Sequence, residues 1–105
     1  MKTFHVFVTD EAKSDLQRYK NYLLYVKKSP QAAKNLLLDF REVRSRLESV
    51  AGSLKNPDSP KLRERKLKKI NFTKHDYILL FRVEENKVFV TNVFHALEDY
   101  ENKIK

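Results

Sequence analysis

Apolar residues along this chain change period in a way that sorts it into strands and helices. Phe4, Val6 and Val8 alternate with His5, Phe7 and Thr9, which predicts a first strand. Thr9 or Asp10 can cap a following helix, and Glu11 suits its N-terminal dipole. Ala12, Leu16, Tyr19, Leu23 and Val26 then recur at three- and four-residue steps on one helix face, with Tyr22 and Tyr25 at its margins. Ser29-Pro30 restarts the chain, because Ser serves as N-cap and Pro is tolerated where the N–H would be unpaired anyway. Ala33, Leu36, Leu37, Phe40, Val43, Leu47 and Val50 form the apolar face of a second helix, and Gly52 stands where it should stop. The short connection makes the two helices an antiparallel hairpin.

Ser53 to Ser59, containing Asn56-Pro57-Asp58, predicts an irregular connection. Ile70 and Phe72 keep strand phase in a segment from Lys66 to Phe72, where Leu67 falls out of phase and calls for a bulge or a late start. The strongest strand signal is the pair Tyr77–Val83 and Val88–Phe94, joined by Glu84-Glu85-Asn86-Lys87. A symmetric connection sets Val83 opposite Val88, Arg82 opposite Phe89, Leu80 opposite Thr91, Ile78 opposite Val93 and Asp76 opposite His95. A bulge at Asn86 is the alternative and slips that register by one. In the symmetric register one face carries Tyr77, Leu79, Phe81, Val83, Val88, Val90 and Phe94, with Asn92 its only polar member. The other is mixed, with Ile78, Leu80, Arg82, Phe89, Thr91, Val93 and His95. Leu97, Tyr100 and Ile104 suggest a short terminal helix. The order β-α-α-β-β-β(-α) is an α+β fold, a helical hairpin on a small antiparallel sheet, with the other sheet face open or partly covered by loops.

The chain's 105 residues make one domain, residues 1–105, large enough for a core without staples. It has no cysteine, so disulfides and thiolate metal sites are excluded. The N-terminal apolar run is too short for a signal peptide and none approaches a bilayer span, so a cytoplasmic location is expected. A formal charge of +8 favours polyanions or an acidic protein partner.

Much of that charge sits in one stretch: Lys61, Arg63, Arg65, Lys66, Lys68, Lys69 and Lys74 against Glu64. Arg63, Arg65, Lys66, Lys68 and Lys69 are candidate phosphate contacts; equally, lysines on a strand edge guard against aggregation. The hairpin aromatics are explained by core alternation rather than by base stacking. His95, placed opposite Asp76, is a candidate general acid, because a neighbouring carboxylate favours the imidazolium; it could as well close the strand end by a hydrogen bond. His5 and His75 lack companions at ligand spacing, and no Gly-rich phosphate loop or nucleophile elbow is present, so neither metal nor cofactor is expected.

These residues also carry a resemblance. Val8-Thr9-Asp10-Glu11-Ala12 leading into Asp15-Leu16 and Tyr22, Ser29-Pro30 with Ala33, Leu62-Arg63, Tyr77 to Val83, and Val93-Phe94-His95 followed by Asp99-Tyr100 resemble the RelE/ParE superfamily of type II toxin-antitoxin toxins, the long helical hairpin being closer to the ParE branch. The resemblance implies a bacterial growth inhibitor, of the kind associated with plasmid stabilization, that is neutralised by an acidic antitoxin. ParE-like members act on DNA gyrase; RelE-like members cleave mRNA in the ribosome, using strand-two lysines, a strand-three arginine and a C-terminal tyrosine or histidine. Here Lys69 matches one lysine position, Asn71 replaces the other, His95 or Tyr100 could serve at the end, and Ile78 stands at the arginine position. Arg82, on the same expected face, is the candidate to compensate. The favoured reading is a ParE-like binder of a protein target, the alternative an mRNA endoribonuclease using Lys69, Arg82, His95 and Tyr100, and a third a basic RNA-binding domain.

Overall fold

The computed structural model describes residues 3–54 and 59–104; the connection through Asn56-Pro57-Asp58 lies outside them. Strand β1 (His5–Val8) leads into α1 (Asp10–Asn21), whose N-cap Thr9 accepts from the Ala12 amide. One π turn, Tyr22–Val26, prolongs this helix. Helix α2 (Pro30–Val50) starts at the Ser29 cap and ends in a 3-10 turn, Ala51–Ser53. After α3 (Pro60–Glu64) come β2 (Lys68–Asn71), β3 (Tyr77–Glu84), β4 (Lys87–His95) and α4 (Tyr100–Lys103).

The sheet order is β1-β4-β3-β2, with β1 parallel to β4 and the remaining pairs antiparallel. The sheet is therefore mixed where a wholly antiparallel one was expected, and the path of the helices gives the reason. Helix α1 continues in the direction of β1, so that Asp15 reaches the Val93 amide and Tyr19 the His95 amide. Helix α2 returns until the Glu48 carbonyl accepts from the Phe4 amide, 2.8 Å away. The chain is then back at the start of β1 when β2 begins, and two reversals bring β4 parallel to β1.

The helices bury one sheet face around Leu36, Val43, Leu47, Leu79, Phe81, Val88, Val90 and Val93. Gly52 belongs to this packing, since a Cβ there would stand 2.8 Å from the Phe4 ring. The opposite face is less open than expected. Leu62 of α3, Leu67 and Ile104 close over Ile78, Leu80 and Phe94 as a second small core.

Two helical expectations shift. Val26 is 64% exposed, because the π turn adds a residue and breaks the 3.6-residue phase. Leu37 is exposed because the inward stripe of α2 runs through Ala33, Leu36, Asp39, Val43 and Leu47.

The hairpin register is the main correction. Val83 faces Val88, Arg82 faces Phe89 and Phe81 faces Val90 as expected, but Leu80 faces Asn92 rather than Thr91. Thr91 is thus the extra residue of a β-bulge, its hydroxyl donating to the Leu80 carbonyl at 3.3 Å. Beyond it every side chain changes sides: Val93 enters the helix-side core, Phe94 joins the second core, and His95 faces Tyr77 rather than Asp76.

The out-of-phase Leu67 also finds its explanation. Leu67 N–H donates to the Leu62 carbonyl and Lys66 N–H to that of Arg63, which together form a Schellman ending of α3. Leu67 packs back on Leu62, and β2 starts late. Lys66 takes the left-handed conformation this ending needs, at φ 59°. Glycine is freer there, so Lys66→Gly should raise stability by about 0.5–1 kcal/mol, measured by urea unfolding. An equal loss would contradict this account of the turn.

Candidate functional site

The structure distributes the sequence-derived site residues over both sheet faces. On the face away from the helical hairpin, Lys69 pairs with Leu80 and its Nζ lies 6.0 Å from the centre of the Tyr100 ring, which stacks on Phe94. Asn71 is opposite Ile78 on the same face, and Ile78 is 3% exposed within the second core.

Arg82 shares this face, but its guanidinium lies over Phe89 with Cζ 5.6 Å from the ring centre. Its Nε is 2.9 Å from Glu84 Oε1, an ion pair too misaligned to count as a hydrogen bond, so among the described residues the buried Nε–H has no acceptor. Both side chains are well exposed, and the pair adds little to stability.

His95 is not in that group. The bulge at Thr91 turns it to the helix-side face, where its ring meets Tyr77 edge-on at 5.1 Å and its Nδ1 accepts from the Leu97 amide at 3.2 Å. The expected pairing with the Asp76 side chain gives way to a backbone bond, Ala96 N–H to the Asp76 carbonyl.

The basic stretch also divides. Arg63, Lys66 and Lys68 line a cleft of about 360 Å³ with Leu67 and Val83. Lys68 leans to the helix side and donates from Nζ to the Leu54 carbonyl at 3.0 Å. Arg65 is exposed and stands apart from that cleft.

A second concavity was not anticipated. A slot of about 630 Å³ lies between the end of α1 and the end of the sheet, lined by Tyr19, Tyr22, Leu23, Tyr77, His95 and Glu98, with Arg18 and Lys27 beside them. Arg18 lies over the Tyr19 ring and Lys27 over the Tyr22 ring. Tyr19 donates to Glu98 and accepts from the His95 amide. Burial and then the Glu98 hydrogen bond push its phenol up to about 12, so it stays a donor at neutral pH. Burial raises the Glu98 carboxyl, but Lys103, Tyr19 and the His95 amide outweigh it and hold the group below the usual glutamate range. The slot thus has aromatic walls, a compensated carboxylate and two cations at its margin. The helical spacing of Tyr19, Tyr22 and Leu23 was visible in sequence; their meeting with Tyr77 and Glu98 was not.

Asp39 is a second residue that patterning missed. It is 2% exposed and accepts from the Thr73 amide at 3.2 Å, the Lys74 amide at 2.9 Å and His75 Nδ1 at 2.8 Å, pinning the β2–β3 connection to α2. Burial would raise its carboxyl, but His75 and the two amides prevail and lower it. A lowered folded-state pKa contributes stability above the ordinary aspartate value near 3.9 and loses it as pH falls through the folded value. Asp39→Asn should cost about 2–3 kcal/mol at pH 7, because an amide turns a donor toward donors. It should also flatten the acid limb of a stability–pH curve below about pH 4; an unchanged limb in urea titrations would refute this role.

With this geometry in view, the comparisons place the chain. Residues 6–100 match the family described as the ParE toxin of the type II toxin-antitoxin system, parDE. Among solved structures, a chain of the chromosomal ParDE system from P. aeruginosa superposes with a TM-score of 0.68 at 18% identity, over 89% of this chain and 96% of that one. A chain of the toxin-antitoxin complex RelBE2 from Mycobacterium tuberculosis gives 0.59 at 16% identity, over 89% and 98%. No curated protein matches. The class is that of type II toxin-antitoxin toxins with the RelE/ParE fold. Within it, the chain belongs to the ParE toxin family.

Proposed function

We propose that this protein is a ParE-like growth inhibitor that acts by binding DNA gyrase and is held inactive by a cognate acidic antitoxin. The observation that carries a binding over a cleaving role is Ile78. At the position where the RelE resemblance calls for an arginine on the scissile phosphate, this chain has an isoleucine packed among Leu62, Leu67, Leu80, Phe94 and Ile104. An alkyl chain there offers no bidentate donor. His95 lies on the opposite face from Lys69, and Arg82 is already engaged with Glu84 and Phe89. On this reading, His95→Gln and Lys69→Ala leave growth arrest on induction intact, and the purified protein inhibits gyrase supercoiling. Messenger cleavage after induction that disappears with either substitution would overturn it.

One observation favours the alternative, an mRNA endoribonuclease: Lys69 and Tyr100 stand together, a cation beside a phenol that could stabilise and protonate a leaving oxygen. The same induction experiment separates the two readings.

The antitoxin reading is supported by the toxin-antitoxin family, the +8 charge and the aromatic slot with Arg18 and Lys27 beside it. Such a slot suits a bulky apolar side chain flanked by carboxylates. Binding of the acidic partner should weaken as ionic strength rises, since screening removes the long-range attraction. Part of it should survive high salt through the apolar anchor. Titration calorimetry at low and high salt checks this, and a salt-independent affinity would contradict it.

A further inference from the structure

On the face away from the helical hairpin, three planar groups stand in one row across three strands. Phe7 of β1, Phe89 of β4 and Arg82 of β3 occupy successive register positions. The Phe7 and Phe89 rings stack with centres 5.5 Å apart and planes 21° from parallel, and the Arg82 guanidinium lies on Phe89. The second core does not reach this row, since its members are Leu62 of α3, Leu67 before β2, Ile78 and Leu80 of β3, Phe94 near the end of β4, and Tyr100 and Ile104 of the C-terminal segment. Phe7 is 48% exposed, and β1 is the edge strand, so among the described residues no strand lies beyond it. The stack is therefore closed by Arg82 at one end and open at Phe7 at the other.

Burial in a core does not explain an aromatic ring left in this way, and a ring face beside cations is the arrangement that takes up bases of single strands. The adjoining row holds Lys87 between His5 and Glu84, and Lys69 lies on the same face two positions along β3 from Arg82. Glu84, the acid in this group, is paired with Arg82. We propose that Phe7 is a stacking platform for one base of a single-stranded nucleic acid, with Lys87 placed for a backbone phosphate. A second copy of the chain is the competing occupant of the apolar ring. It would bring the same cations, on a protein of charge +8, against each other, whereas a polyanion neutralises them. The proposal is independent of the protein-target reading above, because it concerns neither the aromatic slot nor the Lys69–Tyr100 pair.

The test uses the full chain and fluorescein-labelled single strands of about ten nucleotides, oligouridine and oligodeoxythymidine, with an abasic strand of equal length as a charge-only control. In fluorescence anisotropy the native protein should bind a base-bearing strand more tightly than the abasic one, and the tighter of the RNA and DNA strands names the source. Phe7→Leu keeps an apolar side chain at an exposed position but removes the ring. It should weaken base-bearing binding roughly 5- to 150-fold, the range for losing one base–aromatic stack. It should leave abasic binding and the salt slope unchanged, while Phe7→Trp retains affinity. Equal binding of base-bearing and abasic strands, or an unaltered Phe7→Leu protein, overturns the proposal. So does a concentration-dependent mass in sedimentation that Phe7→Leu abolishes, which would assign the ring to self-association.

Discussion

Strand β4 runs between two neighbours for only part of its length, and much of the molecule is arranged around what happens where one of them ends. β1 accompanies β4 as far as Val90 and then turns into α1. Past that point the outward backbone of β4 has no strand to bond, and a buried N–H without an acceptor costs about 1–3 kcal/mol. Helix α1 supplies the missing partners from its own side chains. Thr9 donates to the Val90 carbonyl, Asp15 Oδ2 accepts from the Val93 amide at 3.0 Å, and Tyr19 accepts from the His95 amide at 3.0 Å. Asp15 does this at a cost, since burial pushes its carboxyl above the usual aspartate range despite the amide and Arg18. The helix is thus held to continue past the end of β1, which fixes both the parallel pairing and the aromatic slot at the far end of the sheet.

The bulge at Thr91 falls within the same stretch. One added residue moves Asn92 off the helix-side face, where it would have been a lone polar group, and puts Val93 there instead. Asn92 then donates to Asp15 at the strand margin. The same step carries His95 away from Lys69 and leaves Tyr100 as the terminal residue beside that lysine. A single insertion thereby decides which side chains can act together.

The basic surface and the second core meet on the face away from the hairpin. Where relatives of the cleaving type are expected to place a guanidinium, apolar residues from α3, β3, β4 and the C-terminal segment close together, with Lys69 and Tyr100 at their margin and the Phe7–Phe89–Arg82 stack further along the sheet. The helix side instead presents the aromatic slot, with exposed Tyr25 and Val26 on the adjoining π turn. Two chemically different surfaces therefore exist on one small domain, one apolar and aromatic with two cations beside it, the other cationic with a stacked aromatic row.

The elements themselves were legible in the sequence, because each rests on local rules. The Ser29-Pro30 cap, the stripe from Ala33 through Leu47 and the period-two runs from Tyr77 to Val83 and from Val88 each describe a surface that must be buried whatever its neighbour. The family resemblance was legible for the same reason, since its residues are those caps, turns and strand cores. Asn92 was also a legible anomaly, a polar residue in an otherwise apolar face, but periodicity alone could not tell a tolerated asparagine from a bulge. The placement of side chains across elements belongs to tertiary structure. The Thr91 bulge, the Asp39 clasp on Thr73, Lys74 and His75, and the meeting of Tyr19 with Glu98 join residues far apart in the chain. Their backbone donors become costly only once packing has excluded water, and so their partners are chosen by the assembled fold.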